Sequence, residues 1–426
     1  MSTLNLFQQI HLQSLTANLA GSIMGPESVL QEAMNIAAKR MVKKHLSQYG
    51  WDITWGPRVW KSETSKWYEG LNNCWMVMKA PNVEYPDGTR FDTYVVAIAG
   101  TTVFSTEDWE FEDFGVDKVV DFNAYTKNFT TGSADKPVGV QNPPFRDIPY
   151  GAWGTTFGAW AVATHASPSG NPGAGTNLLN YLANLKKSPG EFRVIFTGHS
   201  LGGALSPYLS LATKANNLVP GVADIAGDIL ALPSAGATPG EQLFSDAYSK
   251  LSKVSGPGGY QLWNADFYNT LDIVPNAWST DDTQDRNIDK IVSIYGPLQG
   301  KFLTKIQGLV QKAKDRAKSS GFTYIPIEGS PFNGTPPAET PTNFLSFMSE
   351  AVLQHTKAYH NAVNVSDELV DLYKAIISAP GVKKKSARIL AKEMPVLCNV
   401  DDSEWDDNSD DKYPFDCILT GERVPR

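Results

Sequence analysis

The sequence is poor in cysteine, in long apolar runs and in positive charge, and each shortage excludes a class of protein. Three cysteines among 426 residues cannot form the disulfide framework of a small secreted domain, although Cys398 and Cys417 can pair around the acidic loop between them. No run of 18 apolar residues is present, so we predict no transmembrane segment. A net charge of −8 argues against a nucleic-acid partner. With 42% hydrophobic and 19% charged residues, the composition predicts a folded, soluble protein.

The chain also lacks the usual signals for targeting and for cofactors. Its first residues have neither the basic nor the apolar region of a secretory signal, which favours a cytoplasmic location. Sequons beginning at Asn128, Asn333 and Asn364 keep secretion open. The acids of segment 401–411 do not follow the order of an EF-hand loop. Since no phosphate loop, dinucleotide fingerprint or metal-ligand cluster is found either, we expect no metal and no cofactor.

Strand-like and helix-like patterns alternate over about 300 residues, which indicates an α/β fold with one doubly wound, mostly parallel sheet. Strands are predicted at 51–55, 74–78, 94–99, 192–197, 229–232, 261–268 and 322–327. Helices are predicted at 26–48, at 155–164, after an N-cap at Thr176 and after Gly203. We expect a single domain over 1–375, with an N-terminal helix, and a C-terminal extension with an acidic loop over 376–426.

The segment Gly198-His199-Ser200-Leu201-Gly202 is the central feature of the sequence. It follows the apolar strand 192–197 and precedes a helix pattern. Glycines two places either side of a serine allow a tight strand-to-helix turn that exposes the hydroxyl group. The spacing alone is common by chance, but its position between strand and helix is not. We therefore predict a nucleophile elbow with Ser200 as the nucleophile.

Around this turn the chain resembles the class 3 (fungal-type) lipases, which have the α/β-hydrolase fold. The resemblance extends from residue 94 to residue 359. The segments that carry it are 96–101, 197–205, 235–244 and 269–275. Ala99 stands where the family has an arginine. The resemblance implies a serine ester hydrolase with helical and loop insertions in its sheet.

The same resemblance implies the partners of the serine, which this superfamily supplies in the order Ser, Asp, His. Asp272 lies in the block that matches the family's acid, and His355 has the family's H-x-x-x-Y surroundings. Asp266 and His360 are the alternatives. His199 is expected to be structural, because the sharp turn should aim its side chain away from the serine hydroxyl.

The oxyanion hole is expected to use backbone N–H groups. Leu201 follows the nucleophile directly, and Thr101 follows the glycine that ends strand 94–99. Thr102 is the alternative to Thr101. These two N–H groups are predicted to bind the substrate oxygen that becomes negatively charged.

Two further stretches concern the substrate and the surface. The insertion 103–154 lies where the family carries its lid, and its many aromatic residues either cover an acyl groove or form the core of an ordinary loop. Segment 298–318 has the spacing of an amphipathic helix with several lysines. Such a helix either packs on its own domain or touches an anionic lipid surface.

We therefore expect a carboxylic ester hydrolase that cleaves acylglycerol-type esters through an acyl-serine intermediate. A phospholipase A-type enzyme, an esterase for small or aromatic esters and a lipid acyltransferase are alternatives that use the same triad. A catalytically inactive binding protein with this fold is the alternative outside enzymes. The expected partners are an ester or lipid substrate and, transiently, a lipid–water interface.

Overall fold

A computed structural model describes residues 3–62, 72–100, 115–185, 192–219 and 228–384 of the chain. The strands are β1 Ile23–Met24, β2 Asp52–Trp60, β3 Asn73–Glu84, β4 Arg90–Ile98, β5 Val119–Asp121, β6 Tyr150–Ala152, β7 Phe192–His199, β8 Ile229–Ser234, β9 Ser255–Gly258, β10 Gln261–Trp263, β11 Asp266–Asn269, β12 Gly329–Phe332 and β13 Lys383–Lys384. The α-helices are α1 Leu6–Asn18, α2 Glu27–Met41, α3 Phe122–Thr126, α4 Trp153–Thr164, α5 Leu178–Leu185, α6 Leu201–Ala215, α7 Gln242–Leu251, α8 Gly300–Ser319, α9 Phe344–His355, α10 Lys357–Val363 and α11 Ser366–Ile377. A π-helical segment, Val42–Leu46, and 3-10 segments at Leu19–Ser22, Ser47–Tyr49, Lys127–Thr131, Val274–Asn276 and Ile288–Val292 complete the helical structure.

Seven strands form the central sheet in the order β12-β11-β8-β7-β4-β3-β2. From β4 to β12 every neighbouring pair is parallel, whereas β2, β3 and β4 pair antiparallel. The register places Ile98 beside Gly198, and His199 beside Ser234. Because parallel strands end at the same edge, the segments that follow β4, β7, β8 and β11 meet there. The α/β, mostly parallel sheet expected from the sequence is confirmed.

Apolar side chains cover both faces of this sheet. One cluster packs α1, α2 and α11 against one face, and a second packs α4, α5 and α6 against the other. A third cluster joins segments that follow the strand ends to α8 and α9. Burial of apolar surface stabilises a fold by about 25 cal/mol per Å². The third cluster therefore stabilises the edge of the sheet at which its parallel strands end.

Helix α1 is an element that the sequence pattern did not predict. Twelve of its thirteen residues are buried, including Gln13 and Ser14. A helix buried on all sides has no apolar stripe, so the helical period that the prediction needs is absent. The predicted helix over 26–48 is confirmed, as α2 continues through Val42–Leu46 and Ser47–Tyr49.

One strand prediction was confirmed only in part, and another was wrong. The run 261–268 is broken at Asn264, which has a positive φ of 63° and separates β10 from β11. The run 322–327 is irregular, and the strand lies further on, at β12. Within the irregular run Tyr324 forms only isolated bridges, and Pro326 has no N–H group to give to a ladder. Apolar alternation alone could not reveal either break.

The N-cap predicted at Thr176 was also misplaced by one residue. The side chain of Asn177 accepts a hydrogen bond from the N–H of Asn180 at 2.9 Å, so Asn177 caps the helix that contains Leu178–Leu185. Both residue types favour this position, and asparagine ranks above threonine.

The described part of the insertion contributes to the core. Phe122, Phe129 and Tyr150 are buried, whereas Phe145 is exposed. Aromatic residues 104, 109, 111 and 114 lie outside the described residues, as do Cys398, Cys417 and the acidic segment. Helix α8 packs Ile306 and Val310 on its own domain. Within the described ranges no helix has both the length and the apolar character needed to span a bilayer.

Candidate active site

Ser200 lies at the junction of β7 and α6, in a backbone conformation that few residues adopt. Its φ is 62° and its ψ is −125°, a strained combination that persists only when the surroundings enforce it. Two glycines make the turn possible. A Cβ on Gly198 would lie 2.2 Å from the carbonyl oxygen of Gly202, and one on Gly202 would lie 2.3 Å from that of Ile98. The predicted elbow therefore has the expected backbone.

The positions predicted for the oxyanion hole are described only in part. Leu201 is the first residue of α6, so its N–H has no acceptor within the helix. Thr101 and its alternative Thr102 lie outside the described residues. Gly100, just before them, is so close to Ser200 that a Cβ on it would lie 2.6 Å from the serine Cβ. The strand end and the serine are therefore in contact.

Asp272 and His355 are joined by a hydrogen bond. Their side chains meet at 2.7 Å, between His355 Nδ1 and Asp272 Oδ2, and both residues are fully buried. The hydroxyl group of Tyr359 donates a second hydrogen bond to the same oxygen at 2.8 Å, and the N–H of Val274 donates one to Oδ1 at 3.0 Å. These donors hold the carboxylate in one orientation. Burial, and then the nearby Asp272, raise the pKa of Tyr359 well above its ordinary value.

Ser200 is not joined to this pair by a hydrogen bond. The Nε2 atom of His355 is buried and has no hydrogen-bond partner among the residues that the structure describes. The connection passes through the residue next to the serine. His199 and His355 have ring centroids 4.8 Å apart, and His199 Nε2 lies 2.7 Å from the carbonyl oxygen of His355. The serine and the histidine thus lie at the same edge of the sheet.

The two alternatives make other contacts. Asp266 forms a buried ion pair with Arg286 at 2.6 Å and accepts a hydrogen bond from the N–H of Gly236 at 3.0 Å. Burial raises the pKa of Asp266 to about 6, although Arg286 opposes this. His360 is buried in α10, and burial lowers its pKa to about 4. Neither alternative therefore replaces Asp272, whose carboxylate forms the hydrogen bond with His355.

Three features of the site were not predicted from the sequence. The side chain of Asn18, at the end of α1, accepts a hydrogen bond from the N–H of Gly100 at 2.9 Å. His199 contacts the predicted base instead of pointing into inert core. Asn269 Nδ2 donates to the Gln354 carbonyl oxygen at 3.0 Å, beside that same base. Each contact joins segments that are far apart in the sequence. The H-x-x-x-Y pattern around His355 was therefore the only sequence signal for this network.

Comparison with known proteins agrees with this architecture. Residues 95–281 match the family model described as "Lipase (class 3)". A search of curated proteins finds no significant match. Among solved structures, M37 lipase is 24% identical with a TM-score of 0.64, and the alignment covers 88% of this chain and 98% of that one. At this identity the likeness shows the fold.

Fungal lipases are more distant. The Yarrowia lipolytica LIP2 lipase is 14% identical over 63% of this chain and 73% of its own, with a TM-score of 0.37. The mono- and diacylglycerol lipase from Aspergillus oryzae is 14% identical over 64% and 74%, with a TM-score of 0.34. The family match and the sheet with its elbow agree on one assignment. Residues 95–281 match the class 3 lipases, and the chain is a lipase-type carboxylic ester hydrolase of the α/β-hydrolase fold.

Proposed function

We propose that this hydrolase cleaves acylglycerol-type esters through an acyl-serine intermediate formed on Ser200. The observation that carries the proposal is the buried hydrogen bond between His355 and Asp272, at the edge of the sheet where the elbow also lies. Serine needs a base to become nucleophilic, and a histidine base needs a carboxylate to fix its tautomer. The three residues supply these parts.

Acylation begins when Ser200 Oγ attacks the ester carbonyl carbon. His355 Nε2 takes the hydroxyl proton, while Nδ1–H remains hydrogen-bonded to Asp272, which stabilises the resulting imidazolium. The C–O bond to the alcohol then breaks, and the imidazolium returns its proton to the leaving oxygen. The products of this half-reaction are the free alcohol and the acyl-serine.

Deacylation repeats these steps with water. His355 takes a proton from the water molecule, whose oxygen attacks the acyl carbon, and gives it back to Ser200 Oγ as the ester bond breaks. In both halves the negative charge on the carbonyl oxygen needs donors, and we assign this role to the N–H groups of Leu201 and Thr101. Loss of one such donor typically costs about 10²–10³ in rate.

Access for a lipid requires a local opening of the enzyme. Ser200 is only 5% exposed and His355 is fully buried. We infer a transient contact with a lipid–water interface, where an apolar acyl chain can leave the lipid without crossing water. In the described part of the insertion 103–154, Val138 and Phe145 are 81% and 63% exposed, and we infer that they meet this interface.

A substrate series with two serine variants tests the proposal. We expect the wild type to hydrolyse p-nitrophenyl esters from acetate to palmitate, and tributyrin emulsions, and Ser200→Ala to lose about 10³-fold or more of this activity. Ser206→Ala is the matched control, since Ser206 lies in the same helix and its buried hydroxyl has no hydrogen-bond partner in the described part of the chain. Equal rates in wild type and Ser200→Ala would refute the assignment of the nucleophile.

The same series separates the alternatives. Exclusive turnover of short esters would indicate an esterase, and release of fatty acid from phosphatidylcholine in preference to tributyrin would indicate a phospholipase A-type enzyme. Preferential transfer of the acyl group to an added alcohol would indicate an acyltransferase. Each of these outcomes would replace the acylglycerol substrate while it leaves the acyl-serine chemistry in place.

A further inference from the structure

His199 makes two hydrogen bonds that determine where its protons lie. Nε2 lies 2.7 Å from the carbonyl oxygen of His355, and Nδ1 lies 3.0 Å from Ser234 Oγ. A carbonyl oxygen only accepts hydrogen bonds, so Nε2 carries the hydrogen and Nδ1 accepts one from the serine hydroxyl. This tautomer is the one that satisfies both contacts of a ring with no exposed surface.

The imidazole of His199 stays neutral. Burial, and then the nearby His355, lower its pKa well below the ordinary value of 6.5. The neutral ring therefore keeps its donor on Nε2 and its acceptor on Nδ1.

The carbonyl group that His199 holds needs an outside donor. Helix α9 ends at His355, and the last four carbonyl groups of a helix have no N–H partner within it. The following residue, Thr356, leaves the helical conformation with φ −122° and ψ −76°. An imidazole N–H at 2.7 Å fixes this helix end at the residue whose side chain must reach the substrate.

His199 is also fixed relative to the serine. It is the residue before Ser200, and the N–H of Ser200 donates to the Ser234 carbonyl oxygen at 3.1 Å. The ring of Tyr359, which bonds Asp272, meets the His199 ring edge-on with centroids 4.8 Å apart. His199 thus belongs to the strand that leads to Ser200, and its buried side chain contacts the end of the helix that carries His355.

We propose that His199 is a positioning residue that sets His355 Nε2 relative to Ser200 Oγ. The inference rests on the proposed function and deepens it. The role is an indirect one, since His199 exchanges no proton with the substrate. A misplacement of about 1 Å at a reacting group can cost about 10²-fold in rate. Loss of the contact between His199 and His355 should therefore lower kcat more than it weakens substrate binding.

The test compares three variants in the full chain. His199→Phe keeps a flat ring without hydrogen bonds, and His199→Gln keeps an N–H near the position of Nε2. The matched control is His11→Phe, because His11 is also fully buried and its Nε2 lies 3.1 Å from a backbone carbonyl oxygen, that of Tyr260. The readouts are kcat and KM for p-nitrophenyl butyrate, and the rate of inactivation by a p-nitrophenyl alkylphosphonate, which needs the activated serine.

We expect His199→Phe to lower kcat and the inactivation rate by about 10- to 100-fold with KM within about threefold of the wild type. His199→Gln should recover most of the loss, and His11→Phe should keep the wild-type kcat. Wild-type kcat in folded His199→Phe, or an equal loss in His11→Phe, would overturn the proposal. A loss in His199→Gln as large as in His199→Phe would do so too.

Two more measurements cover the remaining outcomes. If His199→Phe does not fold, Ser234→Ala, which removes the donor to Nδ1, should still lower kcat by about three- to tenfold, and an unchanged kcat would contradict the positioning role. Activity in Ser200→Ala would instead refute the proposed function. An inactive Ser200→Ala beside a fully active His199→Phe would refute this inference alone.

Discussion

Removal of the Tyr359 hydroxyl group tests how the carboxylate of Asp272 is held in place. It donates to Asp272 Oδ2 at 2.8 Å and accepts from the N–H of Asn269 at 2.9 Å, inside a residue that is 1% exposed. Tyr359→Phe keeps the ring and its packing. A hydrogen bond to a charged group contributes about 1.5–3 kcal/mol, and an orphaned buried N–H costs about 1–3 kcal/mol. We therefore expect a loss of about 3–4 kcal/mol in the free energy of unfolding.

The effect on activity should be smaller than that of removing a triad member. Asp272 still bonds His355 in Tyr359→Phe, but its carboxylate has lost one of the donors that fix its orientation. We expect kcat to fall about tenfold with little change in KM. Urea denaturation followed by tryptophan fluorescence measures the stability, and hydrolysis of p-nitrophenyl butyrate measures the activity.

A second tyrosine provides the control for stability. Tyr295 is also buried, and its hydroxyl group has no hydrogen-bond partner among the described residues. Tyr295→Phe should therefore unfold at nearly the wild-type urea concentration, since no hydrogen bond is lost. Equal midpoints for Tyr359→Phe, Tyr295→Phe and the wild type would refute the argument that the Tyr359 hydroxyl braces the acid.

Two further predictions concern acid and the N-terminal helix. The pKa of His11 and of His360 is lowered to about 4 by burial, and that of His199 is lowered as well, so the folded state gains stability above pH 6.5 and loses it as the pH falls towards 4. Asp266, whose pKa burial raises to about 6, opposes part of this change. Urea titrations should show the loss of stability between pH 6.5 and 4, and His11→Phe should flatten it by about 1.4 kcal/mol per pH unit near pH 5. Asn18→Ala, which removes the acceptor for Gly100 N–H, should lower kcat about tenfold, and a wild-type kcat would contradict a role for that contact.

The elbow could be predicted from the sequence because its determinants are local. Glycines at 198 and 202 are required by backbone atoms only a few residues away or on the adjacent strand. The Asp272–His355 contact could not be derived in the same way. Those residues lie 83 positions apart, and the resemblance to a family was the main ground for choosing them over Asp266 and His360.

The remaining features depend on tertiary contacts that leave no periodic trace. Helix α1 is buried on all sides, so its sequence shows no stripe. His199 was expected to be structural because the turn points it away from the hydroxyl, and that geometry is compatible with its contact to His355. A side chain that points away from the substrate can still fix the position of another residue that contacts the substrate.

The family match covers less of the site than its motifs suggest. Ser200 and Asp272 lie within residues 95–281, but His355 and Asn18 lie outside them. The sheet is divided in the same way, because β2, β3 and β12 also lie beyond the matched residues. A fragment limited to the match would lack the proposed base and three of the seven strands, and it would expose the core that α1 and α2 now cover. The segments outside the family model therefore belong to the proposed catalytic unit, since they supply its proposed base and the framework that holds it.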